Sequence, residues 1–254
     1  MTYFVSDIHG EYDLFLKLLD KIGFSDSDVL YVLGDMIDKG EKSVKTVDFI
    51  RREPNIKAIL GNHEYDFLKY YNRLMRSLSD DDDADTALRR LREYFPTDKE
   101  NLSWETVDYL ESLPFYIEKD EYICVHAGLE TDENGIILPM REQTAEVMVY
   151  SREFKEKSFN LSPRNKTVLF GHTPCSYENG DGKFIKTDRS GNVNLCGGIS
   201  GAVNANFKYS GITGLQSSKK LADYSKIRLD TGVYLTNMLG AFRPEDMREF
   251  YVEK

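Results

Sequence analysis

The stretch that decides the fold runs from Thr2 to His63. It holds three apolar runs, Thr2-Tyr3-Phe4-Val5-Ser6, Asp28-Val29-Leu30-Tyr31-Val32-Leu33 and Ile56-Lys57-Ala58-Ile59-Leu60. Each is short, β-branched or aromatic, and bounded by Gly, Asp or Asn, as strands are. Between the first two, Glu11–Ile22 carries Leu14, Leu18, Leu19 and Ile22 at helical spacing. Between the second and third, Lys42–Arg52 carries Val44, Val47, Phe49 and Ile50 the same way. Strand–helix–strand–helix–strand predicts an α/β fold with a parallel sheet and helical crossovers.

Working outward, residues 64–113 read as polar helices, interrupted by Asp80-Asp81-Asp82-Asp83, whose like charges predict a solvated loop. Tyr122–Val125 and Thr167–Phe170 return to strand character, and 140–157 reads as helical. Residues 175–225 differ in kind: eight of the 18 glycines fall between Gly180 and Gly214, with many Asn and Ser, which predicts hairpins and a long loop. Ile227–Asp230, Val233–Met238 and Phe250–Val252 read as closing strands. No composition shift marks a boundary, so residues 1–254 are expected to form one domain, with a helical insert at about 65–113 and a Gly/Asn-rich insertion at about 175–225.

The 254 residues carry 33 basic and 43 acidic side chains, a net charge of −10. Such a chain repels nucleic-acid phosphates and lacks the basic face that an anionic membrane attracts, so neither partner is expected. No apolar run is long enough to span a bilayer. The first residues have no basic leader, and three scattered cysteines imply no disulfide framework, so a cytoplasmic setting is expected.

The chemistry gathers where the apolar runs end. They close in Asp7-Ile8-His9-Gly10, Gly34-Asp35-Met36-Ile37-Asp38-Lys39-Gly40, Gly61-Asn62-His63-Glu64, His126-Ala127-Gly128 and Gly171-His172-Thr173. All four histidines of the chain stand within two residues of such an end, beside a glycine or one residue removed from it. Sites in α/β sheets form outside the carboxyl ends of strands, so these residues should meet on one rim. Asp and Asn oxygens with His nitrogens suit hard or borderline divalent cations. Asp7 and His9 share one side of a strand because side chains alternate with period two. Two divalent ions against Asp7 and Asp35 would leave the site at roughly +2, attractive to phosphate despite the acidic surface.

These motifs, D-x-H, G-D-x-x-D-x-G, G-N-H-E, H-A-G and G-H-T in that order, resemble the calcineurin-like metallophosphoesterases, in form closest to the PPP-type serine/threonine phosphatase branch and its bacterial and phage relatives. The resemblance is dense over 1–64, sparse over 121–128, 167–173 and 228–232, and silent elsewhere. It implies a central β-sandwich of two mixed sheets flanked by helices, with the site at the strand ends. It also implies two divalent ions about 3.5–4 Å apart. Asp7, His9 and Asp35 would hold one; Asp35, Asn62, His126 and His172 the other. Manganese is expected first, with iron, zinc or magnesium as alternatives. A metal-bound hydroxide would attack phosphorus in line, with His63 protonating the leaving oxygen and Asp38 orienting His63.

Lys39 stands where that branch usually has Arg, trading a two-pronged grip for a point charge. Lys39, Arg152 and Asn62 are the expected phosphate contacts. Asp230-Thr231-Gly232 resembles a late D-T-G and is read as support, Glu64 as a helix-start or supporting group, and Cys175 as inert. Tyr177, Phe184, Phe207 and Tyr209 are candidate lid residues. The leading expectation is phosphomonoester hydrolysis on a phosphoprotein or small phosphoester. The alternative is a dinucleoside polyphosphate hydrolase of the bis(5′-nucleosyl)-tetraphosphatase type. A binding protein without turnover would show broken ligand positions, and none is broken. The oligomeric state is left open.

Overall fold

A computed structural model describes residues 1–79, 82–157, 166–189, 193–195 and 219–254. Phe207 and Tyr209 lie outside these. The first sheet has the order β11-β10-β1-β2-β3: β1 (Thr2–Val5), β2 (Val29–Val32) and β3 (Ile56–Ala58) run parallel, and β10 (Met238–Arg243) and β11 (Arg248–Glu253) close it antiparallel. The second has the order β4-β5-β6-β9-β7-β8, with β4 (Tyr116–Glu118), β5 (Tyr122–Val125), β6 (Thr167–Phe170), β7 (Ile185–Asp188), β8 (Val193–Leu195) and β9 (Tyr224–Arg228). There β5, β6 and β9 are parallel, and β4, β7 and β8 add antiparallel edges. Both sheets are mixed, as expected.

Period-two alternation explains the layering. On β1, Tyr3 and Val5 face the helices, with Leu30 and Val32 of β2. Phe4, Tyr31 and Leu33 point the other way, into a second core shared with Cys124, Leu169, Ile227 and Phe242 between the sheets. Val168 and Phe170 turn outward into a third core with Phe154 and Met148. β6 is therefore buried on both faces. The outer layer comprises α1 (Tyr12–Ile22), α2 (Ser43–Arg52), α3 (Asn62–Ser77), α4 (Ala84–Arg92) and α5 (Trp104–Ser112). The buried stripe of α1 is Leu14, Phe15, Leu18, Leu19 and Ile22, and Gly23 ends the helix at φ 63°. Asp83 caps α4, and Asp82 accepts from Ser79 and pairs with Arg90, so the described part of the acidic run joins two helices.

Three expectations are corrected. Val233–Met238 is not a strand: Val233–Thr236 forms a single helical turn, α8, bracketed by Gly232 (φ 70°) and Asn237 (φ 56°), and the strand starts at Met238. Helix in 140–157 shrinks to a 3₁₀ turn at Met140–Glu142 and α6 (Ala145–Tyr150), which Thr144 caps. Phe184 is no lid residue: it is fully buried between the sheets, its ring 5.0 Å from that of Tyr251. No helix among the described residues is long and apolar enough to cross a membrane.

Candidate active site

The carboxyl ends of β1, β2 and β3 meet those of β5, β6 and β9 at one edge of the sandwich. His126 Nδ1 donates to the Leu33 carbonyl across the two sheets at 2.8 Å. Gly171 N–H donates to His126 O, and Leu229 N–H to Phe170 O, both at 2.8 Å. Glycine is needed here for space. A Cβ on Gly34 would lie 2.8 Å from His126 Nδ1, one on Gly61 would collide with Asp35, and one on Gly171 would collide with Ser6 and Asp7.

Backbone strain concentrates at the same place. Asp7, His9, Asp35, Asp38, Lys39 and His172 all have φ between 49° and 67°. Each non-glycine residue held there costs on the order of 1–3 kcal/mol. Glu64 holds the Asp35 turn in place. It is fully buried, its Oε2 accepts from Asp35 N–H (2.8 Å) and Gly61 N–H (2.9 Å), and its Oε1 accepts from Met36 N–H (2.7 Å) and Ile37 N–H (3.1 Å). The supporting reading of Glu64 thus matches its geometry.

Two ligand clusters share Asp35. Its Oδ2 lies 3.7 Å from His9 Nε2 and 3.8 Å from His63 Nε2. Its Oδ1 lies 3.3 Å from His126 Nε2, in the cluster that includes His172. Asn62 Oδ1 faces His126 Nε2 at 3.1 Å and His172 Nδ1 at 2.8 Å. Asp7 stands beside the first cluster, Oδ1 4.0 Å from His9 Nε2 and Oδ2 accepting from Ser6 Oγ and from His172 N–H at 3.1 Å. All six expected ligand residues are therefore brought together. The donor set tests well against a cation: His9 Nδ1 and His126 Nδ1 are turned to carbonyls, leaving both Nε2 atoms facing the carboxylate.

The charges follow from this crowding. Burial lowers the pKa of His9 to about 4, against the pull of Asp35. Burial and the neighbouring His126 charge lower His172 to about 3. His126 goes the other way: burial opposes its charge, but Asp35 and Asp7 outweigh burial and hold it at about 10. Burial and the Asp230 charge raise Asp7, and burial raises Asp230 to about 6. Asp230 was read only as support; it is buried, its charge acts on Asp7, and beside two divalent ions it would leave the site at roughly +1 rather than +2. For His63, burial opposes the proton, but the hydrogen bond to Asp38 and the charge of Asp35 give a net rise. His63 Nδ1 lies 2.7 Å from Asp38 Oδ2.

Lys39 Nζ lies 2.9 Å from His9 Nε2 and 3.9 Å from the centre of the Tyr234 ring. Arg152 is exposed just past α6, near enough for its charge to weigh on His172. Cys175 is buried with its thiol pushed up to about 12, which fits an inert role. Sequence reasoning missed Ser6 and Tyr234. Ser6 directly precedes the first aspartate and was a findable signal; Tyr234 was hidden in a segment read as strand.

A family model for calcineurin-like phosphoesterases matches residues 2–197, and the chain belongs to that family. It is 28% identical over 198 residues to the asymmetrical bis(5′-nucleosyl)-tetraphosphatase PrpE of Bacillus velezensis, covering 67% of this chain and 76% of that one. It is 33% identical over 130 residues to the symmetrical bis(5′-nucleosyl)-tetraphosphatase of Vibrio parahaemolyticus, covering 50% of this chain and 44% of the relative. The chain thus matches less than half the length of the symmetrical relatives. A crystal structure of a candidate diadenosine tetraphosphatase superposes with TM-score 0.59 at 19% identity, covering 99% of this chain and 92% of the other, a likeness of fold. Phosphoester hydrolysis with divalent metal is the family's chemistry.

Proposed function

We propose that this chain is a two-metal hydrolase of dinucleoside polyphosphates. The observation that carries the reading is the division of Asp35, one oxygen facing His9 and the other facing His126. Asp7, His9 and Asp35 would hold one ion, and Asp35, Asn62, His126 and His172 the other. Bound there, such ions supply Lewis-acid charge to the phosphate and an ionised water at neutral pH. The names of the tetraphosphatase relatives support the dinucleoside substrate.

The side chains around the ligands divide the remaining work. Lys39 and the exposed Arg152 offer positive charge to phosphate oxygens, and the Asn62 amide nitrogen can donate to them. His63 holds Nδ1 toward Asp38, and against the opposition of burial the Asp38 hydrogen bond and the Asp35 charge raise its pKa, which favours a proton on Nε2, the nitrogen facing the cluster. As the phosphorus–oxygen bond to the leaving group breaks, that proton passes to the departing oxygen. Asp38 fixes the ring, and its own backbone is pinned where its N–H donates to Ser43 Oγ at 2.9 Å.

The test is turnover of diadenosine tetraphosphate against a phosphopeptide panel, after exhaustive chelation and after Mn²⁺ return. The dinucleotide is expected to be favoured by orders of magnitude in kcat/KM, and chelation to abolish both activities. Faster phosphopeptide turnover overturns the substrate class, and chelator-resistant hydrolysis overturns the metal reading.

A further inference from the structure

Five large apolar side chains are exposed among the described residues: Met1, Met75, Tyr177, Tyr234 and Leu235. Tyr177 and Tyr234 meet at the mouth of the candidate site, and Leu235 follows Tyr234 in the chain. Tyr177 lies on the short helix α7 (Ser176–Asn179), which starts where Cys175 N–H donates to the Asp230 carbonyl at 2.8 Å. Tyr234 and Leu235 lie on α8, whose preceding Gly232 packs so closely on Pro174 and Ser176 that a Cβ would come within 3.0 Å of both. The two turns are thus locked together on Asp230, beside Asp7. Their tyrosine hydroxyls are 3.3 Å apart, yet Tyr177 is 59% and Tyr234 40% exposed.

The Tyr234 ring touches the site directly. Its centroid is 5.7 Å from that of His9, nearly perpendicular at 83°, and Lys39 Nζ sits over it at 3.9 Å. Exposed aromatic surface beside a polar cluster marks a contact surface. Three side chains are too few for a protein interface, and two flat rings suit a planar ligand better than an aliphatic one. The adjoining Lys39 ammonium and histidines call for an anion at once, so ring and anion belong to neighbouring parts of one ligand.

We propose that Tyr177 and Tyr234, flanked by Leu235, form a subsite for the base of a nucleoside whose phosphate lies against Lys39 and the histidine cluster. This rests on the reading that the site takes phosphoesters, and it places one nucleoside of the dinucleotide at α7 and α8. The rings act by stacking, which tolerates any base, so the subsite selects nucleosides without choosing among them. Tyr234 does a second job, giving Lys39 a face to rest on that does not depend on His9 Nε2.

The experiment compares inhibition of the metal-loaded enzyme by AMP, ribose 5-phosphate and phenyl phosphate, with p-nitrophenyl phosphate as reporter. AMP and ribose 5-phosphate differ by the base alone, so their inhibition-constant ratio measures the subsite. AMP is expected to bind more tightly, and Tyr177→Ser or Tyr234→Leu to shrink that advantage by about 5- to 150-fold. Tyr177→Phe and Tyr234→Phe keep it, because the ring and not the hydroxyl stacks. Both positions are exposed, and circular dichroism checks that each variant folds. A second readout needs no turnover: saturation-transfer NMR from the metal-free protein to the adenine protons of AMP, expected in wild type and lost in the Tyr177→Ser/Tyr234→Leu double variant. Equal affinity for AMP and ribose 5-phosphate, or an advantage that survives loss of both rings, overturns the subsite. So does a larger gain for phenyl phosphate than for AMP, which would assign the rings to an aryl phosphate such as phosphotyrosine. Slow turnover of diadenosine tetraphosphate with the AMP results intact would sink the proposed substrate and leave the subsite standing.

Discussion

Cation capture at this site should expel a proton from His126. Its Nδ1 faces the Leu33 carbonyl at 2.8 Å, while Nε2 faces Asp35 Oδ1 at 3.3 Å and Asn62 Oδ1 at 3.1 Å. A neutral ring would donate to the carbonyl and leave a bare lone pair opposite two oxygens. The imidazolium presents an N–H on each side, and the charges of Asp35 and Asp7 outweigh burial to push its pKa up to about 10. A metal ligand nitrogen must be bare, so below about pH 10 each ion bound there displaces one proton. Apparent affinity then rises about tenfold per pH unit, about 1.4 kcal/mol. His9 near 4 and His172 near 3 are already neutral and add nothing. In the metal-free protein the sign is opposite. A folded pKa above the unfolded one contributes stability that is complete below about pH 6.5 and lost as the pH climbs toward 10. The assay is calorimetric titration of chelator-stripped protein with Mn²⁺ or Zn²⁺ at pH 7.5, in three buffers of different ionisation enthalpy, repeated from pH 6.5 to 8.5. A heat that does not depend on the buffer, together with a pH-independent Kd, would show that His126 is already neutral and that the oxygen-facing geometry has been misread.

Further substitutions probe the neighbouring roles. His63→Asn should lower kcat by roughly 10²–10⁴-fold. The loss should be smaller for p-nitrophenyl phosphate than for an alkyl phosphate, whose leaving oxygen needs the proton more; equal losses would remove His63 from the acid role. Glu64→Gln puts an NH₂ where one carboxylate oxygen accepts from two buried N–H groups. At about 1–3 kcal/mol for each stranded donor, urea denaturation should show roughly 2–6 kcal/mol lost; a loss under about 1 kcal/mol would mean that the Asp35 turn stands without it. Lys39→Arg should change the inhibition constant of inorganic phosphate, because a fork grips two oxygens where an ammonium grips one; an unchanged constant would take Lys39 out of phosphate contact.

The first parallel strands and the gathering of the candidate site residues on one rim were legible because they obey local rules. Short apolar runs bounded by Gly, Asp or Asn marked β1, β2, β3, β5 and β6, and Gly, Asp and His at their ends marked the rim. What could not be read was set by pairings and backbone conformations that a segment's own composition does not show. Glu118 of β4 pairs with Ile123 in a register that Tyr116–Glu118 alone does not signal, its three residues all being half-buried. Val233–Thr236 has the composition of a strand, but Gly232 and Asn237 at positive φ force one helical turn, and only that turn carries Tyr234 over Lys39. Phe184 sits in a glycine-rich segment that reads as surface loop; its burial depends on Tyr251 of β11, whose hydroxyl accepts from Phe184 N–H at 2.9 Å. Asp230 was legible as a motif but not as a charge, because nothing in its own segment reveals that Asp7 lies beside it.

The strained residues connect these points. Six site residues sit at positive φ although none is glycine, and five of them lie within Asp7–Lys39. Left-handed Asp7 and His9 let the chain turn off β1 while their N–H groups donate to Gly34 O (3.1 Å) and Asp35 O (2.9 Å), so the first ligand loop is zipped to the second. Glu64, three residues into the third motif, clamps that second loop through its N–H groups. The three strand ends therefore hold one another, each supplying a conformation that the next requires. With the strain set at on the order of 1–3 kcal/mol per residue, such loops would relax if they were separate. Closure around shared hydrogen bonds holds the acids and histidines of the three motifs close together. If these residues hold the proposed ions, loops fixed in this way would place them for binding in advance.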